Sequence, residues 1–460
     1  MPPSPERFDA VVIGTGQSGP ALARDMAGRG MKVAVLERHL VGGTCVNTGC
    51  IPTKSLVASA RAAHVARRAG EFGVRVGGRV TVDMKAVKAR MKRISGTSNK
   101  AVTKGLESNE NIELIRGHGR FEGKRLVGVN GRLLGAPKVF VNVGARAERP
   151  KIRGLNDVPY LVNSSILELD TLPEHLIVVG GSYIGLEFGQ MYRRFGSEVT
   201  IVQRGERLVP REDEDVSQAI REILEGEGVR IVTKAECLAV AKKGKGIVVR
   251  AGRKTIAGSH LLIAAGRVPN TDDLGLEKAG IRTDERGYVE VDAELRTTAP
   301  GVWALGDCNG RGGFTHTSYN DYEIVAANLF ERRKRGAPPR RVTDRIPAHA
   351  LYIDPPLGRC GMTEREARAS GRKVLVGKYF MEDVGRAFER SETAGFMKVV
   401  VDAKTERILG AALLGIEGDE VMHTLLDLMY ADAPYTVVTR AMHVHPTVSE
   451  YLPSLFHSLE

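Results

Sequence analysis

Cys45 and Cys50 stand four residues apart in GGTCVNTGCIPTK, a spacing that can close a small disulfide loop. A zinc site would want two such pairs or added histidines at metal spacing, so no metal is expected here. From Cys50 onward the residues read as a helix interrupted near its start by Pro52. A thiolate at a helix N-terminus is favoured by the helix dipole, and Lys54, one turn later, adds positive charge on the same face. The chemistry on offer is thiol–disulfide exchange, which needs a thiolate attacker and a protonated leaving partner. A histidine held by a carboxylate does that job near neutral pH. His445 and Glu450, five residues apart across Pro446, can meet on a turn entering a helix. His443 makes an HxH pair with His445 but reads as a second exposed histidine and is left out of the catalytic set.

Two strand–turn–helix–strand units could position these groups. In FDAVVIGTGQSGPALARDMAGRGMKVAVLE, residues 8–37, Gly14 makes the tight turn, Gly16 lets a pyrophosphate approach the backbone, and Gly19 lets the helix pack on the strand. The helix N-terminus then faces phosphates. Glu37, 18 residues past Gly19, can accept hydrogen bonds from a ribose diol. The pattern recurs at 176–203, with Gly180 and Gly185 as the outer glycines and Ser182 in the middle position. The turn is expected to survive there with a slightly displaced backbone. Gln203 stands where an acid would bind the diol of NADH, and Arg204 and Arg207 follow, which suits the 2′-phosphate of NADPH. The first unit therefore suits FAD and the second NADPH, with NADH possible. TTAPGVWALGDC, 297–308, adds a strand ending in Gly306 and Asp307, and that aspartate can bind a flavin ribityl hydroxyl.

GGTCVNTGCIPTK resembles the active-site signature of the class I pyridine nucleotide–disulfide oxidoreductases, the family of glutathione reductase, dihydrolipoamide dehydrogenase and mercuric reductase. The resemblance extends over essentially the whole chain, through GGSYIGLEFG, AAGRVPN at 264–270, WALGD at 303–307 and HPTVSE at 445–450. It implies an α/β protein with two Rossmann-like dinucleotide-binding domains and a C-terminal α+β dimerisation domain. The limits implied are 1–148 for FAD, 149–270 for NAD(P)H, 271–340 for the returning part of the FAD domain and 341–460 for the interface domain. By the same resemblance Cys50 is the flavin-proximal sulfur, and Cys45 is the interchange thiol that attacks the substrate. Lys54 and Glu187 form an ion pair by the flavin, and Tyr183 is a lid that swings aside for nicotinamide. His445, oriented by Glu450, is the acid–base group, and both come from the partner subunit of a homodimer. The flavin set is Gly14, Gly16, Gly19, Glu37, Gly43, Thr44, Lys54, Gly144, Gly306 and Asp307. The NADPH set is Gly180, Ser182, Tyr183, Gly185, Gln203, Arg204, Arg207 and Gly266.

Within the family, the ending SLFHSLE lacks the C-terminal cysteine pair of mercuric and high-molecular-weight thioredoxin reductases. Gln203 and the stretch FTHTSYNDYEIVAANL depart from dihydrolipoamide dehydrogenase. That stretch and DPPLGRCGMTE, 354–364, most resemble mercuric-reductase-like flavoproteins linked to reactive chlorine resistance, of which the best characterised reduce hypothiocyanous acid. Ser182 and Thr48, the latter where many relatives have valine or isoleucine, weaken the transfer of a substrate from any one relative. The substrate stays open: a disulfide, or another electrophilic sulfur or oxidant. Dihydrolipoamide dehydrogenase-like and mercuric-ion reductase-like activities are alternatives.

A chain of 460 residues implies two to four domains. Its net charge of +12 is dispersed, and ERRKRGAPPRR at 331–341, the one dense basic run, reads as a solvated linker, so neither nucleic acid nor membrane is an expected partner. A flavoprotein that binds or regulates through its basic surface is the alternative from another class. Five cysteines are too few for a disulfide framework, and Cys237, Cys308 and Cys360 are expected to be small buried residues. No apolar run reaches the roughly 20 residues that span a bilayer. The N-terminus MPPSPERFDA lacks an apolar signal core, so a cytoplasmic protein is expected.

Overall fold

The computed structural model describes residues 4–236, 238–331 and 336–460. Cys237 and residues 332–335 of the basic run lie outside the described residues, and with them the expectations placed there. The chain divides into two compact units, Met1–Ser55 with Lys88–Glu148 and Gly266–Arg345, and Leu56–Val87 with Arg149–Ala265 and Ile346–Glu460.

The first unit is built on a parallel five-stranded sheet. Across its width lie Val302–Ala304, Lys138–Val141, Ala10–Ile13, Val33–Glu37 and Ile112–Arg116. These strands are near-continuously apolar because both faces of the sheet are covered. Val11, Ile13, Ala34 and Leu36 pack toward Phe121 and Val127. Ala10, Val12, Val33 and Val35 pack toward Leu22 and Met26 of the helix Ser18–Gly28 and Ile324 of the helix Thr315–Phe330. At the end of the central strand Gly14 has φ of 100°, and a Cβ there would lie 2.3 Å from the carbonyl oxygen of Asn142. Only glycine makes that turn. A Cβ on Gly19 would lie 2.5 Å from the Gly14 oxygen, so its absence lets helix and turn meet.

The second unit holds a parallel sheet in the order Arg230–Val232, Glu198–Val202, His175–Val179 and His260–Ile263. Its Gly180 has φ of 123° and repeats the Gly14 turn, with Ala264 in the place of Asn142. Ser182 sits at φ −119° and ψ −176°, extended backbone open to any residue, so it requires no displacement of the turn. The unit also contains an antiparallel sheet ordered Ala348–Leu351, Leu357–Gly361, Ile408–Leu414, Phe396–Asp402 and Val374–Phe380. Its strands Phe396–Asp402 and Ile408–Leu414 are buried along their whole length, and Val421, Met422 and Leu425 of the helix Gly418–Tyr430 share their core. The architecture is the expected α/β one: two dinucleotide-binding folds and a C-terminal α+β part. Among the described residues no helix is long and apolar enough to cross a membrane.

Candidate active site

Cys45 lies in the short helix Gly43–Asn47, and Cys50 is the first residue of the helix Cys50–Arg68. Pro52 does not interrupt that helix as expected. It falls in the first turn, where backbone N–H groups have no intrahelical acceptor to lose. Both thiols are free, Cys45 half-buried and Cys50 exposed. Sγ of Cys50 lies 2.9 Å from Oγ1 of Thr315, and Thr315 is the first residue of the helix Thr315–Phe330. Two helix N-termini therefore meet at one sulfur, each favouring negative charge there. A hydrogen bond from Cys45 is the largest cause lowering the Cys50 thiol to about 6. Burial opposes it, and the Thr315 hydroxyl and the Lys54 ammonium lower it further. The same hydrogen bond, then burial and the Cys50 charge, push Cys45 far above the ordinary thiol range. Near neutral pH the pair thus holds its charge on Cys50 and its proton on Cys45.

Beside this pair is a cavity of about 320 Å³ lined by Gly14, Gly16, Glu37, Thr44, Asn142 and Gly144, among others. Glu37 is buried, with Oε1 accepting from the His39 amide at 2.8 Å and Oε2 accepting from the amide and hydroxyl of Thr15. Asn142 ties the turn together. Its Oδ1 accepts from the Gly19 amide at 3.0 Å, and its Nδ2 donates to the Leu305 carbonyl at 2.9 Å. A Cβ on Gly16 would meet Asn142 Oδ1 at 2.8 Å, and one on Gly43 would meet Gly16 Cα at 2.9 Å. Leu305 leads into Gly306, whose amide donates to buried Asp321 at 2.8 Å, and Asp307, whose carboxylate accepts from Arg267 at 3.1 Å. Burial pushes the Asp307 carboxyl up and Arg267 counters it. A glycine-bared turn, a fixed carboxylate at the second strand end and a second carboxylate near Gly306 fit an adenine dinucleotide such as FAD.

In the second unit Gln203 turns inward: its Oε1 accepts from the Gly181 amide at 3.0 Å and its Nε2 donates to the Arg207 carbonyl at 3.4 Å. Arg204 is exposed, Arg207 donates to the Pro210 carbonyl at 3.3 Å, and the intervening Glu206 pairs with Lys234 at 2.9 Å. Gly185 packs against the turn, since a Cβ there would lie 1.9 Å from the Gly180 oxygen. Tyr183 opens the helix Tyr183–Phe195, and buried Glu187 in that helix accepts from the Tyr352 amide at 3.0 Å. His445 and Glu450 are brought together: Nδ1 of the histidine donates to the carboxylate at 3.0 and 3.1 Å. The imidazole is 76% exposed while Glu450 is 16% exposed, so an anchored carboxylate presents an accessible ring. His443 stands apart, half-buried, with Nδ1 3.1 Å from the Ala441 carbonyl. Lys54 belongs to the first unit and Glu187 to the second, and Gly266, read as part of the nicotinamide set, belongs to the first, bonded to Glu148 at 3.0 Å. Cys308 and Cys360 are buried, as expected. Thr315 and Asn142 were not singled out by sequence. Each acts on a residue more than a hundred positions away, and only the presence of VNVGA and FTHTS after strand-like runs could have pointed to them.

The family model described as pyridine nucleotide-disulphide oxidoreductase matches residues 8–321, and the model of that family's dimerisation domain matches 347–455. The chain belongs to the pyridine nucleotide–disulphide oxidoreductase family. Membership makes it an FAD-dependent enzyme that uses NAD(P)H and acts on a sulfur group. It is 36% identical over 98% of its length to a probable pyridine nucleotide-disulfide oxidoreductase, RclA, of Escherichia coli strain K12, covering 99% of that protein. A dihydrolipoyl dehydrogenase of Thermus scotoductus is 33% identical, with 97% of this chain and 96% of that protein covered. A mercuric reductase of Bacillus cereus is 30% identical, with 95% and 70% covered. The solved Cu(II) complex of the HOCl-induced flavoprotein disulfide reductase RclA from Escherichia coli superposes with a TM-score of 0.89 at 35% identity, covering 97% of this chain and 99% of that one. Like its family, the chain carries a dimerisation domain.

The Thr315 contact makes a direct prediction. Removing a hydrogen bond to a charged group disfavours the charged form, so Thr315→Val should raise the pH at which the Cys50 thiolate forms by about one unit. The check is a pH titration of the thiolate's long-wavelength absorbance beside oxidised flavin, with and without Thr315→Val in a Cys45→Ser background. An unchanged midpoint would show that the hydroxyl does not act on the sulfur.

Proposed function

We propose that this enzyme is an NADPH-dependent reductase in which Cys45 and Cys50 form the exchanging pair and the substrate is a disulfide or another electrophilic sulfur. The placement of the pair carries the reading: Cys45 lies in the short helix Gly43–Asn47, and Cys50 starts the next helix with the Thr315 hydroxyl 2.9 Å from its sulfur, which favours charge on Cys50. When bound, FAD would supply the two-electron redox chemistry that links a nicotinamide to the Cys45–Cys50 disulfide. Gly14, Gly16, Gly19, Glu37, Gly43, Thr44, Gly144, Gly306 and Asp307 would hold it, and Lys54 would place positive charge near its reactive edge. Gly180, Ser182, Gly185, Arg204, Arg207 and Gly266 would hold NADPH, with Gln203 fixing the turn and Tyr183 as the lid. Domain limits of 1–148, 149–270, 271–340 and 341–460 go with this reading, as does a cytoplasmic location.

Exchange then follows from the residues. Cys45 gives its proton to His445 of the partner subunit and attacks the substrate sulfur, breaking the substrate's S–S bond. The departing thiolate takes the proton back from that imidazole, which Glu450 keeps in one tautomer. Cys50 thiolate displaces the remaining substrate half from Cys45 as a thiolate that takes its proton from water, restoring the disulfide and completing a two-electron reduction of the substrate to two thiols. The relation to RclA, described as induced by HOCl, favours an oxidised sulfur species as that substrate.

Two experiments test this reading. Cys45→Ser should leave a Cys50 thiolate against oxidised flavin, giving a standing long-wavelength band and no turnover, and Cys50→Ser should lose the band. Full activity in both variants toward every substrate of the parent would rule out the disulfide mechanism. Steady-state kinetics with both nucleotides should favour NADPH, and Arg204→Glu with Arg207→Ala should cost about tenfold or more in kcat/KM for NADPH, the effect of losing charged contacts to one phosphate. Equal efficiency of the parent with NADH would contradict the assignment of Arg204 and Arg207.

A further inference from the structure

The hydroxyl of Tyr183 donates to Oε1 of Glu212 at 2.8 Å. Nε2 of His349 lies 2.8 Å from the same hydroxyl and 3.2 Å from Glu212 Oε1, and the two rings meet edge-on with centroids 5.4 Å apart. Glu212 is 2% exposed, and its other oxygen accepts from Nε of Arg359 at 3.2 Å. Arg359 is pinned in turn, donating to the carbonyls of Cys360 at 2.9 Å and Ala411 at 2.8 Å within the antiparallel sheet. Burial works against the Glu212 charge, yet His349 and Arg359 hold its carboxyl below the usual range. The phenol thus faces a fixed, charged acceptor that is itself braced by a sheet. Burying a carboxylate and a guanidinium fills space at more cost than apolar side chains would, so the gain lies in fixing where the phenol sits.

We propose that Glu212, His349 and Arg359 form a latch on Tyr183 that sets the cost of admitting nicotinamide to the enzyme. The proposal rests on the reading of Tyr183 as the lid. Glu212 and His349 act through that ring and are positioning residues. If the ring must move for nicotinamide to enter, the bond to Glu212 is part of the work of entry, and breaking it should tighten binding and quicken entry. The ring itself, kept in Tyr183→Phe, would still close the site when the nucleotide leaves.

The test uses the flavin-loaded enzyme and NADP⁺ as the probe, with calorimetric dissociation constants for the parent, Tyr183→Phe, Glu212→Gln, their double variant and Tyr183→Ala. The latch predicts that Tyr183→Phe tightens NADP⁺ binding about tenfold, the effect of one hydrogen bond to a charged group, and that Glu212→Gln tightens it by less, because its amide oxygen still accepts from the phenol without the charge. The double variant should do no more than Tyr183→Phe alone, because Glu212→Gln acts only through the bond that Tyr183→Phe removes. Rapid-mixing rates of flavin reduction by NADPH should rise in the same variants at subsaturating nucleotide, a change that general loosening of the fold would not give. Melting temperatures report folding, and if Glu212→Gln unfolds, Tyr183→Phe carries the test alone. Unchanged affinity in Tyr183→Phe while Tyr183→Ala binds more tightly would overturn the latch and leave the lid. Unchanged affinity in Tyr183→Ala would overturn both. Additive single effects would also overturn the latch.

Discussion

A proton shared unequally between two sulfurs sets the requirements for the rest of this molecule. An ordinary cysteine ionises above neutral pH. Here Cys50 is held as a thiolate by a hydrogen bond from Cys45, by the hydroxyl of Thr315, by Lys54 and by two helix N-termini, while Cys45 keeps its proton tightly. The arrangement gives a stable charged sulfur on one side and a thiol that cannot attack on the other until something removes its proton. Under the proposed mechanism the exposed imidazole of His445, braced by the half-hidden Glu450, meets that requirement.

Holding the Cys50 side of the pair requires the chain to return on itself. Thr315 reaches Cys50 because the strand Val302–Ala304 pairs with Lys138–Val141 at the edge of the sheet that starts at Ala10–Ile13, and the helix beginning at Thr315 follows from that strand. Asn142 ties the same two parts together, bonding the Gly19 amide on one side and the Leu305 carbonyl on the other. One amide side chain thus links the first dinucleotide turn to the loop that carries Gly306 and Asp307. In the second unit the equivalent link to the turn is made locally, by Gln203 on the Gly181 amide.

Residues whose partners are close in sequence were legible before the structure. The two glycine turns, Glu37, the cysteine pair and the His445–Glu450 turn all depend on spacings of a few residues or on one strand–helix–strand unit, and periodicity with glycine placement reveals such units. Thr315, Asn142, Glu212 and His349 were not legible, because their roles arise from contacts between segments far apart in sequence. Local rules also misjudged details. Pro52 was read as an interruption, but a first-turn proline costs the helix no bond. Ser182 was expected to displace its turn, but its φ is negative and serine fits. Gln203 was read only for its missing charge, whereas its amide also braces the turn.

The central claim is that the proton of Cys45 is taken by His445 of the partner subunit. Mixing an inactive Cys45→Ser protein with an inactive His445→Ala protein, under conditions that exchange subunits, tests it most directly. In a mixed dimer one site combines an intact Cys45 with His445 of the partner subunit, so random exchange should restore about a quarter of the parent activity. Verified exchange with no recovered activity, or full activity in a verified monomer, would contradict the account.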